Sequence, residues 1–161
     1  MALRDELLRE EDAAFAEFLA EIRGLGAGAV DEPLLPGGWS VRDLLWHVAC
    51  WCAECAHALE RIRLGTYGGW EEDTDALNAR FLEEGRRHGA ATCRATLAAA
   101  RNRMLQELAA LPEEPPGEAV EWFRESGAFH YREHLEDLRA ARMRGRGPSG
   151  GSIGPWDDAS G

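Results

Sequence analysis

The chain contains no lysine; all 18 of its basic residues are arginine, set against 29 acidic ones. Without an ε-amine no Schiff base to a carbonyl substrate can form, so that route of covalent catalysis is closed. The shortage of positive charge excludes more. A formal charge of −11 and a pI near 4.9 disfavour nonspecific nucleic-acid binding, which needs a net or local basic surface. The same excess of carboxylates lets the chain attract metal cations.

Long apolar runs are missing as well. None follows the opening MALRDELLREED, and none approaches the roughly 18 residues of a membrane-spanning helix. A cytoplasmic protein with no membrane partner is expected. The four cysteines, three of them in CWCAEC at 50–55, are then expected to be reduced thiols and not a disulfide framework. No alternating strand pattern and no internal repeat occur.

What is present is enough for one packed core: 45% hydrophobic residues and six tryptophans in 161 residues, with Trp39, Trp46, Trp51 and Trp70 close together. Leu8, Phe15, Phe18, Leu19 and Ile22 recur at helical spacing and predict a first helix from Leu3 to about Arg23, ended by GLGAG. Ser40, with Asp43 three residues on, reads as a capping box opening a second helix over 41–63. Asp73 or Thr74 caps a third through Leu77, Phe81 and Leu82, loosened by Gly85 and Gly89 and continued to about Leu111. LPEEPPG stops it, and a fourth covers about Glu118 to Arg144. The expected fold is an all-α four-helix bundle over residues 1–144, with 25–40 long enough for a crossover and 145–161 a flexible Gly, Ser and Pro-rich tail.

On a wheel of about 100° per residue, His130 and His134 fall within the arc set by Phe123, Gly127, Leu135, Leu138 and Ala141. A single inward histidine is usually a hydrogen-bonded core residue. Two of them four apart can converge on one cation, provided that another element supplies a third ligand. The second helix offers His47, on the shoulder of the arc formed by Leu44, Leu45, Val48, Cys55, Leu59 and Ile62. Trp51 and Phe123 are placed beside this site as pocket residues. Asp43, one turn before His47, and Asp137, three residues after His134, are placed to hold the outer imidazole nitrogens. Cys50, about 60° from His47 on the wheel, is a further candidate participant; Cys52 and Cys55 read as small buried hydrophobes. His57 and His88 read as solvated. Arg80, Arg101 and Arg103 are candidates for a substrate carboxylate, although helical arginines usually form a solvated face.

GWSVRDLLWHVACW, DTDALNARFLEE and HYREHLEDL, in that order, resemble segments of the DinB-like superfamily. That group includes thiol-dependent transferases, mycothiol-dependent maleylpyruvate isomerase and colibactin self-protection proteins. The likeness covers most of residues 5–144. It implies a four-helix bundle, a homodimer, and one divalent metal held by three histidines, which map onto His47, His130 and His134 with none substituted. CWCAEC departs from the alanine and glutamate character usual at that turn, and the tail has no counterpart.

Three neutral imidazoles leave a cation its full charge and an open coordination position, as in catalytic sites. A thiol or water there loses its proton more easily. Zinc or nickel is favoured for the metal. The activity expected is transfer of a low-molecular-weight thiol such as mycothiol or bacillithiol to a small-molecule substrate. Alternatives are a hydrolase or detoxification protein acting on an electrophile through activated water, and a non-catalytic metal-binding or stress-induced interaction protein, for which the metal site is occluded.

Overall fold

Ser40 opens the helix that carries the first histidine in the computed structural model, which describes residues 1–145. Its hydroxyl accepts the Asp43 N–H at 3.1 Å, and Asp43 Oδ2 accepts the Ser40 N–H at 2.9 Å. This reciprocal capping box starts α2 (Val41–Arg63) at the expected residue. Asp73 likewise caps α3 (Thr74–Gly85) by accepting the Ala76 N–H at 3.1 Å. The other helices are α1 (Leu3–Leu25), α4 (Ala90–Ala109), α5 (Gly117–Ser126) and α6 (Ala128–Gly145), with short 3₁₀ turns at Ala27–Ala29 and Pro36–Gly38. The described residues form no strand, as expected of an all-α chain. The proposed tail from residue 146 onward lies outside the described residues.

Two helices expected to be continuous are each divided. Between α3 and α4 the chain turns over 86–89, and Gly85 lies so close to Trp46 that a Cβ there would stand 2.7 Å from the indole. His88 stacks on the same indole, centroids 4.3 Å apart. It is therefore a half-buried cover for Trp46, not the solvated residue its flanking glycines suggested. Between α5 and α6, Gly127 takes φ −105° and ψ −108°, far from helical values. A Cβ at Gly127 would meet the Phe123 carbonyl at 2.7 Å and Glu11 Cγ at 3.2 Å.

Ion pairs fix the helix directions. Glu10 with Arg132 and Glu21 with Arg142 set α1 and α6 parallel. Arg63 with Glu107 and Glu60 with Arg103 do the same for α2 and α4. Arg101 with Glu11, and Arg4 on the Leu111 carbonyl, make α1 and α4 antiparallel. The bundle is thus α1, α2, α4 and the α5–α6 pair. Its crossover is the segment 64–89 with α3, because a parallel return must recover the roughly 35 Å length of a 23-residue helix. The 26–40 connection, where a crossover was anticipated, reverses the chain so that α2 runs antiparallel to α1 and packs on α4 and α5; the Arg42 N–H donates to the Val30 carbonyl at 3.0 Å.

The core gathers Phe18, Leu44, Leu59, Met104, Tyr131 and Leu138 around one buried acid. Glu11 is 0% exposed. Arg101 donates to both its carboxylate oxygens at 2.8 and 2.7 Å, and the Tyr131 hydroxyl donates to Oε1 at 2.8 Å. Burial works against the Arg101 charge, but the bonds to Glu11 outweigh it and raise the pKa. Burial, then Cys52 and Glu11, push the Tyr131 phenol well above its ordinary range, so it remains a donor. Arg101 and Arg103, considered above for a substrate carboxylate, are tied to Glu11 and Glu60; Arg80 stands exposed beside Glu72.

Candidate metal centre

α2 and α6 bring the three histidines together. His47 Nε2 lies 3.0 Å from His130 Nε2. The ring centroids of His47 and His134 are 5.5 Å apart, and those of His130 and His134 4.8 Å. One nitrogen from each ring falls within 4.8 Å of the others. The edge of Trp39 packs against His47 at 5.1 Å.

Burial lowers all three imidazole pKa values. His47 drops to about 4, through burial first and then the neighbouring His134. His130 falls well below its ordinary value through burial and both other histidines, while the Ser126 carbonyl acts weakly the other way. His134 is also lowered by burial, although Glu133 and Asp137 pull it upward. The rings are therefore neutral at pH 7 and keep their lone pairs, the state in which histidine binds metals.

The polar atoms around them are incompletely satisfied. His47 Nδ1, His130 Nδ1 and His134 Nε2 are buried without a hydrogen-bond partner, which is uncommon for buried polar groups. Metal–nitrogen bonds of 2.0–2.1 Å at a tetrahedral angle set ligating nitrogens about 3.4 Å apart. The observed separations, from 3.0 Å up to 4.8 Å, bracket that value. The donor set fits a divalent cation with small ring adjustments.

The triad borders a cleft of about 740 Å³. One wall is a stripe at four-residue spacing, Glu118, Trp122, Ser126, His130 and His134; Trp51, Tyr67 and Trp70 face it. Trp51 lines the cleft as anticipated. Phe123 does not: it is 1% exposed in the core, and Trp122 holds the position assigned to it. The wheel treated 118–144 as one helix, whereas the break at Gly127 resets the phase between α5 and α6.

Neither carboxylate assigned to hold an imidazole hydrogen-bonds to one. Asp43 Oδ2 bonds both the Ser40 N–H and the Ser40 hydroxyl, and Oδ1 has no partner. The capping box directs this side chain to the start of α2 and not to His47 one turn on. Asp137 is half-buried and affects His134 only through its charge. Cys50 does not line the cleft; its neighbours are Glu84, Glu54, Cys52 and Cys93. An azimuth 60° from His47 is enough to turn it toward α3 and α4. Cys52 and Cys55 are buried and His57 is exposed, as anticipated. Tyr67, Trp122 and the cleft glutamates were missed, although Glu118, Trp122, Ser126, His130 and His134 stand visibly four apart in the sequence.

The thiols are poor nucleophiles. Burial, followed by nearby charges, pushes Cys50 up to about 12, and burial pushes Cys52 to a similar level despite its bond with Tyr131. At pH 8 that leaves roughly one thiolate in ten thousand. Folded protein should resist iodoacetamide at pH 8 while unfolded protein labels at all four cysteines, as read by intact mass; rapid labelling of Cys50 would contradict the placement.

The family model described as mycothiol maleylpyruvate isomerase N-terminal domain matches residues 8–138. The chain belongs to this DinB-like family. The match runs from within α1 to Leu138 of α6 and takes in all three histidines of this family member. No curated protein and no solved structure matches it. None of the described helices is long and apolar enough to cross a membrane.

Proposed function

We propose that this family member is a metal-dependent transferase that joins an external low-molecular-weight thiol to an electrophilic small molecule. One observation carries the reading: three neutral imidazoles converge beside an open cleft large enough for a substrate. His47, His130 and His134 hold the cation, with zinc or nickel preferred for an all-imidazole set. A bound divalent cation supplies Lewis-acid chemistry that favours deprotonation of a thiol or a water. The protein's own thiols, buried except for the half-buried Cys50, are held protonated, so the sulfur nucleophile comes from solution. Trp51 and Trp122 line the cleft beside the triad and offer apolar surface to a substrate.

Activated water would serve a hydrolase in the same geometry, and the product separates the two readings. A purely metal-binding interaction protein fits less well, since its site would be occluded. Metal-loaded protein should form thioether adducts with mycothiol, bacillithiol or glutathione across a panel of electrophiles, detected by mass spectrometry, and chelation should stop it. Hydrolysed product without adduct would move the reading to a hydrolase. Neither product across the panel would overturn it.

A further inference from the structure

Four carboxylates line the triad cleft: Glu118, Glu121 and Glu125 on α5 and Glu133 on α6. All four are exposed, and none has an ion-pair or hydrogen-bond partner among the described residues. Acids outside the cleft are divided: Glu6, Glu54 and Glu136 also lack a partner among the described residues, while others are paired. Glu10, Glu11, Glu21, Glu60 and Glu107 each hold an arginine. No arginine lines the cleft. Arg61 sits 5.9 Å over the ring of Tyr67, a cleft residue, and donates to the Thr66 carbonyl.

The cleft also carries braced aromatics, Trp51, Tyr67 and Trp70 on the facing wall and Trp122 on the glutamate-bearing one. Trp70 lies 5.8 Å from Trp51 and 5.2 Å from Trp122, centroid to centroid. The indole N–H of Trp51 donates to Asn78 Oδ1 at 2.9 Å, and that of Trp122 to the Tyr67 hydroxyl at 2.6 Å. With both N–H groups committed to the protein, the rings offer the cleft mainly π surface. Such surfaces attract cations, more strongly where water is excluded, and the unpaired carboxylates add long-range attraction. A carboxylate-bearing molecule is repelled by these four glutamates.

We infer that the cleft selects an organic cation, a small molecule carrying an ammonium or other charged nitrogen, as the electrophilic substrate. This rests on the thiol-transfer reading for the word electrophile, but the charge selection stands on the cleft alone. Four carboxylates outweigh the two charges of a divalent metal, so the preference survives metal binding.

Benzyltrimethylammonium, benzyl alcohol and benzoate share an aromatic body and differ in charge. Titrated into the full chain, metal-free and zinc-loaded, and followed by tryptophan fluorescence and calorimetry, the ammonium should bind at least tenfold more tightly than the alcohol, and benzoate should not bind the metal-free chain. The preference should shrink in 0.5 M salt, and in the Glu121→Gln/Glu125→Gln double variant it should fall at least fivefold with metal content unchanged. Benzoate binding to the metal-free chain as well as the ammonium does, an unaffected double variant, or a neutral disaccharide binding more tightly than the ammonium would each overturn the inference. Metal content measured on the same samples keeps it separable from the thiol-transfer reading: cation preference without metal binding sinks only the latter.

Discussion

His130→Ala protein should emerge from purification without stoichiometric metal and should bind added zinc more than a hundredfold more weakly than the unaltered chain. His130 is buried between the other two histidines, its Nε2 3.0 Å from that of His47 and its ring tilted against His134 with centroids 4.8 Å apart. Removing it leaves two ligands on different helices, and loss of even an outer partner of a ligand costs 10- to 100-fold. A cation at a hundredfold excess over its Kd stabilises a folded protein by about 2.7 kcal/mol, roughly 5–10 °C at this chain length. That thermal shift should vanish in the variant, while the metal-free variant should melt near the metal-free parent, because the lost imidazole left a buried nitrogen unsatisfied anyway. Retained metal, or an unchanged zinc-induced shift, would remove the site.

Acid should act in a defined window on the metal-free protein. His47 titrates near 4 when folded and near 6.5 when unfolded. As pH falls below 6.5 the unfolded chain takes up a proton that the folded chain refuses, so stability is full above 6.5 and declines toward pH 4. The displacement is worth on the order of 3 kcal/mol. The same low values mean that protons compete weakly for the folded site, so metal should stay bound down to about pH 5. Metal-free melts between pH 7 and 4.5 check the first statement, and metal retention after dialysis checks the second.

The second large effect concerns Arg101. Replacing it with methionine strands the Glu11 carboxylate, which is 0% exposed and loses two bonds of 2.7 and 2.8 Å. Breaking a buried pair from one side costs about 3–5 kcal/mol, whereas replacing both partners with apolar groups is often close to neutral. Arg101→Met should therefore lower the melting temperature by roughly 10–15 °C, and Glu11→Leu/Arg101→Met should recover most of that. Metal content should be unchanged in both, since this network meets α6 at Tyr131 and not at the histidines. Denaturant titrations of the two variants decide the matter: a single variant within 1 kcal/mol of the parent refutes the account.

Much of this architecture is local and so could be read along the chain. The capping box at Ser40 and Asp43, the Asp73 cap and the apolar spacing in α2 and α6 depend on neighbours within one helical turn. The triad was legible because its inward positions could be judged separately on two helices, and the DinB-like resemblance joined them. Glu11 was not, since a single acid amid Leu8 and Phe15 looks like any other point on an amphipathic face until Arg101 and Tyr131 close around it from two other helices. Asp43 misled for the opposite reason: one turn from His47 it was within reach, but a nearer claim from Ser40 had already fixed its direction.

The cleft wall shows most clearly where sequence stops. In one straight helix Glu118 and His134, sixteen residues apart, would be separated by roughly 160° around the axis, and Phe123, not Trp122, would share a face with His130. Gly127 departs from helical dihedrals, and both ends of the stripe come to line one cleft. The sequence by itself determined that the chain is helical, where α2 and α3 begin, and which three histidines are candidates, because caps and helical periodicity are properties of consecutive residues. Only the tertiary structure decided that Trp122 replaces Phe123, that Arg101 serves Glu11, and that the cleft is acidic and aromatic, because each depends on the angle at which separate helices meet.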